Sequence, residues 1–143
     1  QTAEGKFLTA DIKKHLDQIE KSRLLIEKQL PQQNTAFGAR IQKRLASFGQ
    51  EEQEAFCREI VMLAEKMDIT EELVRLQAHL QQFRKALTDS SENVGRKLDF
   101  IVQESFRETN TIAAKASDSL IIAQTIEIKS ALEKIRQQVQ NIE

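Results

Sequence analysis

Glu104, Glu108, Thr111 and Lys115 recur at steps of four, three and four residues, and Asp99, Gln103, Arg107 and Asn110 follow a similar rhythm. On an α-helix that spacing lays each set along one face, with the two faces adjacent. The resulting surface mixes carboxylates, a guanidinium, amides and an ammonium. Cleavage of a phosphodiester would use those types: carboxylates to hold a divalent ion or act as base, and Arg or Lys to bind phosphate and offset developing charge. A second set, Glu72, Arg75 and His79, lies at steps of three and four upstream. A histidine there could transfer a proton, tuned by the neighbouring acid and cation.

The same patterns have plainer readings. Mixed charges at helical spacing are the ordinary surface of a solvated helix, where opposite pairs add a few tenths of a kcal/mol. A lone histidine on a helix flank is commonly a surface or partly packed residue, and the other histidine, His15, is remote in sequence. Neither Glu-x-x-His nor His-Glu-x-x-His occurs, so no motif specifies a dedicated metal cage. With four scattered glycines there is no phosphate-cradling loop. Trp and Tyr are absent, which leaves Phe as the only stacking platform for unpaired bases. Cys57, beside Phe56, reads as a small apolar filler of the core.

The elements that would position these groups are helices. Leu8, Ile12, Leu16, Ile19, Ile26 and Leu30 mark a long first stripe, with Arg23 at one seam position. Pro31 and the polar Gln32-Gln33-Asn34 are predicted to break it. Phe37, Ile41, Leu45 and Phe48 form a second stripe closed by Gly49; Phe56, Ile60, Leu63 and Met67 form a third. Thr70 is a candidate N-cap. Leu73, Leu76, Leu80, Phe83 and Leu87 then make a narrow seam. Residues 88–93 read as a loop. A fifth helix starts near Val94 and carries Leu98, Ile101 and Ile112 inward. A sixth, capped by Ser117 or Asp118, buries Ile121, Ile128, Leu132, Ile135, Val139 and Ile142.

Six segments with short joins predict an all-α protein: elongated antiparallel helical hairpins or a bundle with coiled-coil-like seams. Residues 1–67 read as a helical arm and 68–143 as the region holding the polar motifs. Composition agrees, since four Gly and one Pro in 143 residues are too few for a β-rich chain. The seams are too many to bury in one compact monomer, which predicts self-association. A formal charge of −1 removes bulk attraction to polyanions, so any such binding needs a local basic patch. One cysteine excludes an internal disulfide, and no apolar run is long enough to span a bilayer, so a cytoplasmic location is expected. The stripe already running by Phe7, without a clear cap before it, predicts a chain cut from something longer.

Three segments carry a family resemblance. Asp68-Ile69-Thr70-Glu71-Glu72-Leu73-Val74-Arg75-Leu76, with His79-Leu80 and Phe83, resembles the "DI-EEL-RL--H" segment of the YicC/YloC endoribonucleases. Gly95-Arg96-Lys97-Leu98-Asp99-Phe100, Gln103-Glu104, Arg107-Glu108-Thr109-Asn110-Thr111-Ile112 and Lys115 are similar to the family's "GRKLDF--QE--RE-NT---K". Glu127-Ile128-Lys129, Glu133-Lys134-Ile135-Arg136 and Gln138 to Glu143 are similar to its C-terminal "E-K--IEKIR-QVQNIE". Glu4-Gly5, Leu8 and Asp11-Ile12 fit more weakly. Phe106, Ala113-Ala114 and Gln137 depart from the usual residues without removing an acid, Arg or His. The family's N-terminal domain has no counterpart in this sequence.

The resemblance implies a bacterial, homo-oligomeric endoribonuclease, a hexamer by family habit, that depends on a divalent cation such as Mg or Mn. Within it, side-chain chemistry assigns Asp99, Glu104 and Glu108 as metal ligands or base, with Glu72 and His79 completing the catalytic set. Arg75, Arg96, Lys97, Arg107 and Lys115 would bind RNA phosphates, and Asn110 would orient neighbours. A competing expectation is a non-catalytic oligomerisation and RNA-clamping module whose polar residues fix helix register.

Overall fold

The computed structural model describes residues 3–88 and 93–142, with side chains described for 8–88 and 93–141. Five helices account for almost all of it: α1 (Ala3–Leu45), α2 (Gln50–Met67), α3 (Thr70–Leu87), α4 (Val94–Lys115) and α5 (Ser119–Ile142). The described residues contain no strand, and the all-α expectation holds. Of the 88–93 loop, residues 89–92 lie outside the described residues, as do the side chains of Phe7 and Ile142.

Helices α1, α3, α4 and α5 form an antiparallel four-helix bundle in which α1 packs on α5 and α3, and α4 packs on α3 and α5. The seams read from the sequence supply its core. Ile12, Leu16, Ile19 and Ile26 meet Leu73, Leu76, Leu80 and Phe83, Leu98, Ile101 and Ile112, and Ile121, Ile128, Leu132, Ile135 and Val139, all at most 4% exposed. Burying each such side chain contributes about 1.5–3 kcal/mol. Arg23, at a seam position of α1, is 4% exposed yet satisfied by Glu20 and Glu27 on its own helix.

One expectation fails at Pro31, which sits inside a single 43-residue helix and does not end it. The missing amide costs the helix a hydrogen bond, and tertiary contacts on the bundle side offset that cost. Gln33, 5% exposed, accepts from the backbone N–H groups of Ser117 and Asp118, both at 3.1 Å. Gln29 donates to the Asp118 carboxylate at 3.2 Å. These bonds hold the turn around Pro31 against the start of α5, so the predicted six segments become five helices.

Acids hold two of the helix starts. Asp118 Oδ1 accepts from the N–H groups of Leu120 (2.8 Å) and Ile121 (3.2 Å), which selects it over Ser117 as the cap of α5. At α3 the capping carboxylate is Asp68, whose Oδ1 accepts from the N–H and the hydroxyl of Thr70, so Thr70 is the capped residue rather than the cap.

Beyond Pro31, α1 leaves the bundle and pairs with α2 as an arm closed by Phe48 stacked edge-on against Phe56 at 5.1 Å. No residue of α2 is buried. Cys57 is exposed there, which corrects its reading as a core filler: the stripe beside it faces an open cleft rather than a core.

Candidate active site

Helices α3 and α4 run antiparallel, so each step toward the C-terminus of α3 meets a step back along α4. Glu72 therefore faces Lys115, Arg75 faces Glu108, and His79 faces Glu104 and Glu108. The apolar seam sets this register, because Leu73, Leu76 and Leu80 must face Leu98, Ile101 and Ile112. The polar residues flanking one side of both seams are thereby brought into line.

At the centre of the line, one donor atom each from His79, Glu104 and Glu108 lies within 4.8 Å of the others. Glu108 is 7% exposed, while His79 and Glu104 are half-buried. His79 Nε2 is buried with no hydrogen-bond partner, as is Glu72 Oε2. Buried polar atoms without partners are costly and uncommon in native proteins, so these two ask for a ligand or a proton.

Two cations bracket the trio. Arg75 Nε donates to Glu108 Oε2 at 3.0 Å, and its Nη1 donates to Glu71. The hydrogen bond to Glu108 chiefly, and then the field of Glu108, Glu71 and Glu72, holds the guanidinium above its usual pKa. Lys115 Nζ donates to Glu72 Oε1 at 2.6 Å and to the carbonyl of Asp68 at 3.3 Å. Glu71 was not singled out from the sequence, although its four-residue spacing to Arg75 was the available signal.

The remaining candidates lie elsewhere on α4. Asp99 is not part of the trio. Five residues separate it from Glu104, about 140° around the helix, and it accepts from Gln103 at 3.0 Å and raises the pKa of Arg136 on α5. Arg107 is exposed and approaches Glu104 at 3.8 Å. With Gln103, Phe106, Asn110 and Thr111 it lines a shallow groove that reaches Lys115. Arg96 and Lys97 are exposed in the first turn of α4, about two turns from Glu104.

A divalent cation is implied by the resemblance, and the residues present fit one. Two carboxylates and an imidazole are donor types that first-row divalent ions accept, and a buried imidazole nitrogen is left unpartnered. The donor set differs from the expected one in having His79 where Asp99 was assigned.

Fold and cluster together define a helical-bundle module with an imidazole–carboxylate centre framed by two cations on one helical hairpin. The family described as endoribonuclease YicC-like, C-terminal, matches residues 26–143. The chain belongs to that family. It is 38% identical to the probable endoribonuclease YicC of Clostridioides difficile (strain 630), an alignment that covers 100% of this chain and 50% of the relative. It is 43% identical to the probable endoribonuclease YicC of Haemophilus influenzae (strain ATCC 51907 / DSM 11121 / KW20 / Rd) over 60% of this chain and 30% of that protein. The chain thus spans half or less of the length of these curated relatives. No described helix is long and apolar enough to cross a membrane.

Proposed function

We propose that this chain supplies the catalytic helical hairpin of an endoribonuclease that cleaves RNA phosphodiester bonds with a divalent metal ion. The observation that carries this reading is the convergence of His79, Glu104 and Glu108 within 4.8 Å, with His79 Nε2 buried and unpartnered. When bound, a cation of the Mn or Mg class supplies Lewis acidity and acidifies a coordinated water. His79, Glu104 and Glu108 would hold it, the imidazole favouring Mn over the all-oxygen preference of Mg.

The chain's other groups divide by what already engages them. Arg75 and Lys115 are bonded to Glu108 and Glu72 and so orient carboxylates in the first place. Arg107, with 75% of its side chain exposed, is available to meet an RNA phosphate beside Glu104, and Asn110 can donate along the same groove. Arg96 and Lys97 extend the basic character to the far end of α4. Glu72, at the buried end of the line, would accept a proton through its unpartnered oxygen. Self-association is part of this reading, since the arm leaves apolar side chains uncovered.

One observation favours the non-catalytic clamp. The Arg75–Glu108 and Lys115–Glu72 pairs join α3 to α4 and would fix their register with or without chemistry. Cleavage of labelled RNA by a full-length relative and by this 143-residue chain, each with and without chelator, separates the two. In the full-length protein Glu104→Gln and Glu108→Gln should lower the rate by at least two orders of magnitude, roughly. Wild-type rates in both variants would remove the catalytic assignment.

A further inference from the structure

The arm presents a problem that the bundle does not. Helix α2 has 18 residues and buries none of them, although helices in proteins draw most of their stability from packing an apolar face. Its stripe nevertheless carries Phe56, Ile60, Leu63 and Met67, which face Phe37 and Ile41 of α1 across an open cleft. Leu63 in that stripe is 43% exposed, and Val61 and Met62, further round the helix, are 60% and 61% exposed. An apolar cleft left this open is suited to docking.

Charge identifies what docks. The arm segment of α1, residues 31–45, holds Arg40, Lys43 and Arg44 and no acid. Helix α2 holds Glu51, Glu52, Glu54, Glu59 and Glu65 against Arg58 and Lys66. The α1 side of the arm is therefore net basic and the α2 side net acidic, with Arg40, Arg44 and Glu59 lining the cleft itself. Yet among the described residues no ion pair joins them; Arg44 lies over the Phe56 ring at 5.2 Å instead. A two-fold contact places the same patch of each copy on its mate, so a patch with one basic and one acidic half is complementary to itself.

We infer that the arm cleft is a dimerisation surface, in which a second copy of this chain lays the basic segment of its α1 along the acidic α2 of the first, and the reverse, closing the two arms into a four-helix contact. This deepens the self-association part of the reading above by naming the surface, and it is independent of the nuclease chemistry. The bundle half of each chain stays outside the contact, leaving the His79–Glu104–Glu108 face open.

Light scattering on the 143-residue chain over a concentration series tests it, with helicity by circular dichroism as the folding control. The wild-type chain should form dimers or larger even-numbered assemblies. The double variant Ile60→Glu/Leu63→Glu should weaken association by tenfold or more, roughly, at unchanged bundle helicity. Two further variants guard against misfolding of the arm. Arg40→Glu/Arg44→Glu and Glu52→Lys/Glu59→Lys should each dissociate alone, and an equimolar mixture of the two should recover a mixed dimer. A monomeric wild type would overturn both the surface and the self-association reading. An oligomeric wild type whose mass survives all these variants, or a mixture that fails to recover, would overturn the surface alone. Assembly seen only when RNA is added would overturn it as well.

Discussion

Arg75 Nε donates to Glu108 Oε2 at 3.0 Å across the α3–α4 interface, joining residues 33 positions apart in sequence. The bond places a guanidinium against one of the three groups that converge on a candidate metal position. It fixes which way the Glu108 carboxylate faces in a largely dry setting. Helix register and site geometry are thus held by the same contact.

The neighbouring pair, Lys115 and Glu72, should be asymmetric under mutation. Lys115→Ala leaves a carboxylate with 4% side-chain exposure and no partner for either oxygen, and should cost about 1–3 kcal/mol in urea unfolding. Glu72→Gln keeps an acceptor for Lys115 and should cost less. Equal losses for the two would show that Glu72 is not confined as described.

Metal binding should appear as stabilisation before any activity is measured. Mn2+ at about one hundred times its dissociation constant should stabilise the chain by roughly 2.7 kcal/mol, read as a rise in Tm. His79→Ala and Glu108→Gln should remove that increment, and Asp99→Asn should keep it. If Asp99→Asn removes it and His79→Ala does not, the ligand set is the one assigned from side-chain chemistry rather than the one built by the fold.

Acid sensitivity should originate at the caps. Hydrogen bonds from Thr70 hold Asp68 below its ordinary 3.8, and bonds from Gln29, Ile121 and Leu120 do the same for Asp118. Arg136 holds Glu133 below 4.5. A folded value below the unfolded one gives stability that is complete above the unfolded value and is lost as pH falls through the folded value. Urea midpoints should therefore be flat near neutrality and decline from about pH 4 downward. Asp118→Asn keeps a cap acceptor but loses the carboxylate oxygen that accepts from Gln29. It should therefore be less stable than wild type at pH 6 and decline less in acid. A parallel decline would place the sensitivity elsewhere.

Pro31 and Gln33 should pull in opposite directions. Pro31→Ala restores a helix hydrogen bond and should add about 1–3 kcal/mol. Gln33→Ala leaves two backbone N–H groups at the start of α5 without their acceptor and should remove about 1–3 kcal/mol. Chemical denaturation of each variant decides both. A neutral Gln33→Ala would mean that the helix survives its proline for some other reason.

The bundle was legible because its seams are periodic: Leu73 to Phe83 and Ile121 to Val139 are buried where three-and-four spacing puts them. Pro31 was misread because local propensity says nothing of Gln33, which reaches a turn more than eighty residues away. The site was half legible. Glu104 and Glu108 share a face by spacing alone, but their meeting with His79 depends on the register of a second helix, which spacing within α4 cannot contain. Asp99 was chosen for its chemical type, and a rotation of about 140° takes it to α5 instead. Cys57 was placed in a core because Phe56 looked like one; only the fold shows that the stripe has nothing over it.

Helix α1 runs unbroken from the bundle core, through Pro31, to the tip of the arm, 43 residues in all, which is about 64 Å of continuous rod. A rod of that length behaves as a lever anchored at one end. Anything that tilts the tip by a few degrees turns the anchored end by the same angle, against α3 and α5 on which it is packed. What grips the tip is therefore coupled to the orientation at which the far end meets its surroundings, through a helix that lacks one backbone hydrogen bond at Pro31.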